Sequence, residues 1–236
     1  MIGQLGTKIF ADGANLEAIL ALASDPRIDG FTTNPTLMRQ AGITDYEAFA
    51  RELLEHVSAA PISFEVFADE PAEISRQART IASWAENVYV KIPITTTSGT
   101  SLTALAGDLS KDGVKVNVTA MFTLSQVEAV TAAVKDGAAS YQSIFAGRIA
   151  DAGIDPIPLM RDALSIMAAA ERSECIWASP REVLNLVQAD AVGCHIITMT
   201  HDLLKKLGGL GKDLTQFSLE TVQMFFGDAA AAGYKL

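Results

Sequence analysis

Val88-Tyr89-Val90-Lys91-Ile92-Pro93-Ile94 sets one cationic side chain among β-branched and aromatic neighbours. Such a run reads as a buried strand with an amine in it. Burial disfavours a charged amine, and buried lysines are documented to titrate near about 5 to 6 rather than ~10.4. A neutral amine attacks a ketone, and the resulting Schiff base is an electron sink that lets an adjacent carbon–carbon bond break. The alternative for a lone lysine is a strand end from which the ammonium snorkels into solvent.

Outward from this stretch, short apolar runs alternate with longer amphipathic ones, the pattern of parallel strands joined by crossover helices. Strands are predicted at 8–12, 30–33, 62–67, 88–94, 114–119, 141–146, 175–178 and 195–199, eight in all. Helical spacing is clearest over 45–58, where Tyr46, Phe49, Ala50, Leu53, Leu54 and Val57 recur with Arg51, Glu52 and Glu55 between them. Further helices are expected at 70–84, 100–109, 124–135, 156–171, 181–188 and 203–207. Thr44, Thr123 and Ser179 read as N-caps, the last with Pro180 at the first helical position.

Eight β/α units in 236 residues predict a single (β/α)8 TIM barrel over residues 1–236. An open doubly wound sheet would carry a glycine-rich phosphate turn after its first strand, and Asp12-Gly13-Ala14-Asn15 lacks that spacing. The polar loop 95–101 is either a cover for the site or a solvated turn. Residues 218–236 form a helical extension beyond the barrel; its Val222, Met224, Phe225 and Phe226 either cap the wall or dock on a neighbouring subunit.

A formal charge of −10 argues against nucleic acid and anionic membrane surfaces as partners, so any anionic ligand must meet locally placed arginines. The two cysteines, Cys175 and Cys194, lie in apolar runs and read as reduced, buried thiols of a cytoplasmic protein. No stretch approaches the ~18 apolar residues of a membrane span. His56, His195 and His201 are too scattered for a metal cage, no Gly-x-Ser-x-Gly elbow occurs, and neither cysteine has an evident histidine partner, so no metal and no cofactor is expected.

In such barrels chemistry gathers where strands end. Those ends supply Asp12, the run Thr32-Thr33-Asn34-Pro35, Glu65, Lys91, Asn117 with Thr119, Ser143 with Arg148, and Ser179 with Arg181. Each has a structural alternative: Asp12 as a turn residue, Asn34 as an Asn-Pro turn, Glu65 as the neutralising partner of Lys91 in an ion pair. Their convergence on one mouth is a poor recipe for stability and suits proton transfer around a carbinolamine. Ser179 and Arg181 at a helix start, with Arg148, suggest a phosphate site.

The stretches Phe10-Ala11-Asp12, Gly30-Phe31-Thr32-Thr33-Asn34-Pro35-Thr36, Val90-Lys91-Ile92-Pro93, Asn117-Val118-Thr119, Gly147-Arg148-Ile149 and Ala178-Ser179-Pro180-Arg181 together resemble the transaldolase family, in particular its short members, which include the fructose 6-phosphate aldolases. The resemblance implies that Lys91 forms the Schiff base and that Asp12 takes the C4 hydroxyl proton. Glu65, through a water held by Thr119, would serve imine formation and hydrolysis. Asn34 and Asn117 would hold the dihydroxyacetone part, with Ser143 at its hydroxyls; Thr33 and Phe145 would also bind substrate, and Arg148, Ser179 and Arg181 would bind the phosphate.

Glu65 and Phe145 resemble the transferases, where free aldolases have Gln and Tyr. The implied activity is transfer of dihydroxyacetone between phosphorylated sugars, as in the pentose phosphate pathway. Free cleavage and a catalytically silent sugar-phosphate-binding barrel are the alternatives. Two departures from the family's pattern, Gly13 after Asp12 and Pro180 after Ser179, leave room for an uncommon anionic acceptor. The resemblance also implies a homo-oligomer, a pentamer or decamer.

Overall fold

A computed structural model describes residues 5–236. Eight parallel strands close into a barrel in chain order, and the last strand pairs with the first. They are β1 Lys8–Asp12, β2 Gly30–Thr32, β3 Ile62–Glu65, β4 Val88–Pro93, β5 Val116–Met121, β6 Ser140–Ile144, β7 Ser173–Trp177 and β8 Ile196–Thr200. Among the described residues, no helix is long and apolar enough to cross a membrane.

The helices are α1 Leu16–Ala23, α2 Pro35–Gln40, α3 Tyr46–His56, α4 Pro71–Ala82, α5 Thr103–Lys111, α6 Leu124–Val134, α7 Ala146–Asp151, α8 Pro156–Met167, α9 Leu184–Ala191, α10 His201–Lys206 and α11 Leu214–Ala232. Thr123 caps α6 in a full capping box with Gln126. Thr44 does not cap α3: the Asp45 carboxylate accepts the Ala48 N–H instead, being one residue closer to the first helical turn. Three helices, α1, α2 and α7, fall where no helix was predicted, the last because the strand expected over 141–146 took in its first residue, Ala146.

Two apolar clusters hold the barrel, and they divide the strands by parity. Val88, Val90 and Ile92 of β4 face the helical shell with most of the core. The opposite parity points inward, where Phe10, Tyr141, Ile176 and Ile196 form a separate cluster joined by Tyr89. Tyr89 and Tyr141 stack with centroids 3.9 Å apart, and Phe10 meets Tyr141 edge-on. Gly30 is required there, since a Cβ would lie 2.6 Å from the Phe10 ring.

This aromatic floor plugs the barrel below the site. One inward step further along each strand, the lining turns polar: Asp12, Thr32, Glu65, Lys91, Thr119, Ser143 and Thr198. Lys91 thus points into the mouth because Tyr89, of the same parity, packs in the floor.

The loop 95–101 is pinned rather than free. Thr97 donates its N–H and its hydroxyl to Asp69 at 2.7 and 2.6 Å, Thr95 pairs with Ser101, and no residue of the loop lines the mouth. That favours the solvated turn over the cover. Both cysteines are free and buried, Cys194 Sγ donating weakly to main-chain carbonyls.

Candidate active site

Strand register brings the key groups together before any side chain is considered. Glu65 lies opposite Lys91, and Lys91 opposite Asn117, on three consecutive strands. Lys91 is 7% exposed. Its Nζ donates to the Thr33 carbonyl at 3.0 Å and pairs with Glu65 Oε2 at 3.3 Å. The amine is therefore enclosed, and the snorkelling alternative does not describe it. Tyr46, on α3, fixes Glu65 from behind: its hydroxyl donates to the Glu65 carbonyl and accepts the Glu65 N–H, both at 2.8 Å.

Asp12 ends β1 on the same cavity. Thr32 donates to Asp12 Oδ1 at 2.7 Å, and Thr32 and Thr198 hydroxyls are 2.5 Å apart. With one proton per hydroxyl, Thr198 donates to Thr32 and Thr32 to Asp12. Burial pushes the Asp12 carboxyl above its ordinary 3.8, against the lowering effect of Lys91 and the Thr32 hydrogen bond, and Glu65 adds to the rise.

The β5–β6 pairing slips by one residue, since Val118 faces Gln142 while Met121 faces Ile144. Ala120 takes up the slip at φ 60°, a conformation costly for a non-glycine residue and typical of functional bulges. β5 runs two residues beyond its predicted end, and Thr119, of the same parity as Asn117, faces the mouth, where its Oγ1 is buried without a protein partner. Such a hydroxyl is a ready water site.

The cavity measures about 490 Å³. Ten of the twelve predicted site residues line it: Asp12, Asn34, Glu65, Lys91, Thr119, Ser143, Phe145, Arg148, Ser179 and Arg181. Asn34 also caps α2, its Oδ1 accepting the Leu37 N–H, as the turn alternative expects, while the residue stands on the cavity wall. Thr33 and Asn117 stand one layer back. Thr33 offers its carbonyl to Lys91 while its hydroxyl donates to Ser63 O; Asn117 donates to Ser63 Oγ at 3.0 Å and accepts from Ser143 at 2.7 Å.

At the rim, Gly147 allows the β7 loop to lie on the start of α7, for a Cβ there would fall 1.5 Å from the Ser179 carbonyl. Ser179 adopts φ 56°. Arg148 packs over the Phe145 ring at 5.0 Å, and the Phe122 ring meets it tilted, with centroids 5.5 Å apart. The helix predicted to begin at Arg181 begins at Leu184, and Ser179 is not its cap. The N–H groups of Arg181 and Glu182 are not free for an anion, because Asn185 Oδ1 accepts both at 2.7 and 3.2 Å. Arg181 is engaged by Asp151, its Nε at 3.0 and 3.1 Å from the two carboxylate oxygens. The cationic rim is thus made by guanidinium groups, one of which is already paired with Asp151.

Site residues missed in the sequence are Tyr46, Thr198, Thr200, Gln40 and Asp151. Thr198 and Thr200 share the inward parity of Ile196, which could have found them; nothing marks Tyr46, one apolar residue among several on its helix.

The chain matches the family model described as Transaldolase/Fructose-6-phosphate aldolase over residues 9–236. A protein of Dehalococcoides mccartyi named "Probable transaldolase" is 36% identical, covering 85% of this chain and 89% of that relative. One of Streptococcus equi subsp. zooepidemicus with the same name is 40% identical over the same shares. Among solved structures, a dihydrodipicolinate synthase of Rhodopseudomonas palustris superposes with a TM-score of 0.58 at 13% identity, covering 82% of this chain and 69% of that one. A 2,3-dimethylmalate lyase gives 0.53 at 12%, covering 99% and 86%. These two share the fold alone. Sequence kinship at 36–40% over most of the length is of another order, and the chain belongs to the transaldolase/fructose-6-phosphate aldolase family of enzymes.

Proposed function

We propose that the protein moves a dihydroxyacetone unit from a ketose phosphate, fructose 6-phosphate or sedoheptulose 7-phosphate, to an aldose phosphate, through a Schiff base on Lys91. The observation that carries this reading is an enclosed amine 3.3 Å from a carboxylate, in a cavity that also holds Asp12 and has Arg148 and Arg181 on its wall.

Attack on the C2 carbonyl needs the lone pair of Lys91, so one proton must leave Nζ; Glu65 is the acceptor at hand. A water between Glu65 and the orphaned Thr119 hydroxyl passes protons as the carbinolamine loses water to the iminium. Asp12 then takes the C4 hydroxyl proton, the C3–C4 bond breaks into the iminium, and an aldose phosphate leaves. The enamine on Lys91 adds to the acceptor aldehyde, erythrose 4-phosphate or glyceraldehyde 3-phosphate, Asp12 returning its proton to the new alkoxide. Hydrolysis of the iminium releases the product. The test is borohydride reduction with fructose 6-phosphate present: an adduct on Lys91 and acceptor-dependent turnover are expected. No adduct on Lys91 would end the reading.

Phe145 decides what happens to the enamine. Its ring, in contact with Phe122 and Arg148, brings no hydroxyl to the cavity wall. Protonation of the enamine carbon, which must precede hydrolysis of the iminium by water, then lacks a tyrosine hydroxyl as donor, and the three-carbon unit waits for an acceptor. Phe145→Tyr should raise acceptor-independent release of dihydroxyacetone by at least about tenfold, measured by coupled reduction of the free ketone.

Assembly is part of the same reading. Helix α11 buries none of its residues, leaving Phe225 63% and Phe226 77% exposed. A row of apolar residues on a helix that touches little of its own barrel is a surface for another copy. The full chain should scatter light as a homo-oligomer, a pentamer or decamer, and the double change Phe225→Asp with Phe226→Asp should reduce it to smaller species while the barrel stays folded.

A further inference from the structure

We propose that His201 is a positioning residue for Asp12, seated in the space that glycine at position 13 leaves open and acting on proton transfer through that carboxyl. The role of Asp12 in the reading above is its premise.

The β1–β8 ladder ends with Asp12 opposite Thr200, so Gly13 and His201 leave the sheet side by side. A Cβ on Gly13 would lie 2.9 Å from His201 Nε2 and 3.3 Å from Cε1. Gly13 does not have a positive φ, so its backbone does not demand glycine. The imidazole tip fills the place of a side chain on the residue that follows Asp12.

That tip is also unsatisfied: His201 Nε2 is buried with no hydrogen-bond partner. His195, by contrast, accepts the Cys175 N–H at 3.0 Å on Nδ1. A buried orphan nitrogen costs stability and calls for a reason. The charged groups that act on His201 are Asp12 across the ladder and Asp202 and Lys205 on its own helix; Asp12 in turn answers to Lys91 and Glu65. Burial and Lys205 hold the imidazole below its ordinary 6.5, and burial lifts Asp12 above 3.8. Each also acts on the other, Asp12 raising the imidazole and His201 lowering the carboxyl, so the protonation of one answers to the charge of the other. An imidazolium beside Asp12 favours its carboxylate, the form that accepts the C4 hydroxyl proton.

His201→Phe keeps a ring in the Gly13 space and removes the titrating nitrogens. The acid limb of kcat/KM should move up by about half a pH unit or more, with KM at pH 8 within about twofold of the wild type. A ring that merely fills space would leave the limb where it was, and superimposable profiles overturn the proposal. Should His201→Phe melt early, Gly13→Ala, whose Cβ must displace the imidazole, is expected to give the same shift. A second arm needs no turnover: by NMR, the His201 resonances should show two steps with pH in the wild type and one in Asp12→Asn, whereas identical curves overturn the coupling. A wild type that turns over no donor and acceptor defeats the functional reading instead, and the NMR arm still decides whether His201 and Asp12 are coupled.

Discussion

Lys91→Met should abolish dihydroxyacetone transfer, lowering kcat on the order of 10⁴-fold or more, because the covalent intermediate has no other amine to form on. Methionine retains the length of the side chain and packs on the same wall, so the barrel should fold. What it removes is the one cation between two carboxylates, Glu65 at 3.3 Å and Asp12, whose carboxyl Lys91 holds down. Without it Asp12 rises further above 3.8. A carboxyl whose folded value is raised favours folding below its unfolded value and loses that contribution as pH climbs through the folded one. The variant should therefore match the wild type in thermal unfolding near pH 4 and fall behind by about 1 to 2 kcal/mol near pH 8, less than for a sealed ion pair because the cavity admits water. Equal transfer rates in the two proteins would dispose of the Schiff base altogether.

The barrel was legible because both faces of each strand are buried and the helices between carry clear periodicity. Lys91 stood out as a charge where every neighbour is apolar, and Glu65 and Asp12 as carboxylates closing strands. What stayed hidden is physically of another kind. Ala120 adopts φ 60° because the β5–β6 register forces it, and no residue type announces that. Threonine favours strands whether or not its hydroxyl is used, so the Thr198, Thr32, Asp12 relay leaves no mark in the sequence. Asn185 postpones the start of α9 by accepting the Arg181 N–H on its side-chain oxygen, overriding the Ser179-Pro180 signal. Gly13 was visible as a departure, yet its reason lies in His201, 188 residues away in sequence and adjacent only once the barrel closes.

Asp12→Asn separates bond cleavage from imine formation. Asparagine keeps the shape of the side chain, and its Oδ1 still accepts the Thr32 hydroxyl that holds Asp12 at 2.7 Å. It cannot take a proton, so cleavage should slow by about 10²- to 10⁴-fold, the usual worth of a positioned base. Lys91 and Glu65 are untouched, and borohydride with fructose 6-phosphate should label Lys91 as fully as in the wild type; loss of the label along with turnover would move Asp12 from the cleavage step to imine formation. In the wild type the base must be ionised to act, so kcat/KM should fall with decreasing pH, with its midpoint above 3.8 because burial lifts Asp12. The variant should lack that limb. Stability should respond in the opposite sense: above its folded value the buried carboxylate opposes folding, so Asp12→Asn should unfold at the same or a higher temperature than the wild type at pH 8, the difference vanishing below pH 3.8. A change that costs most of the rate and none of the stability is the signature of a charge kept for chemistry.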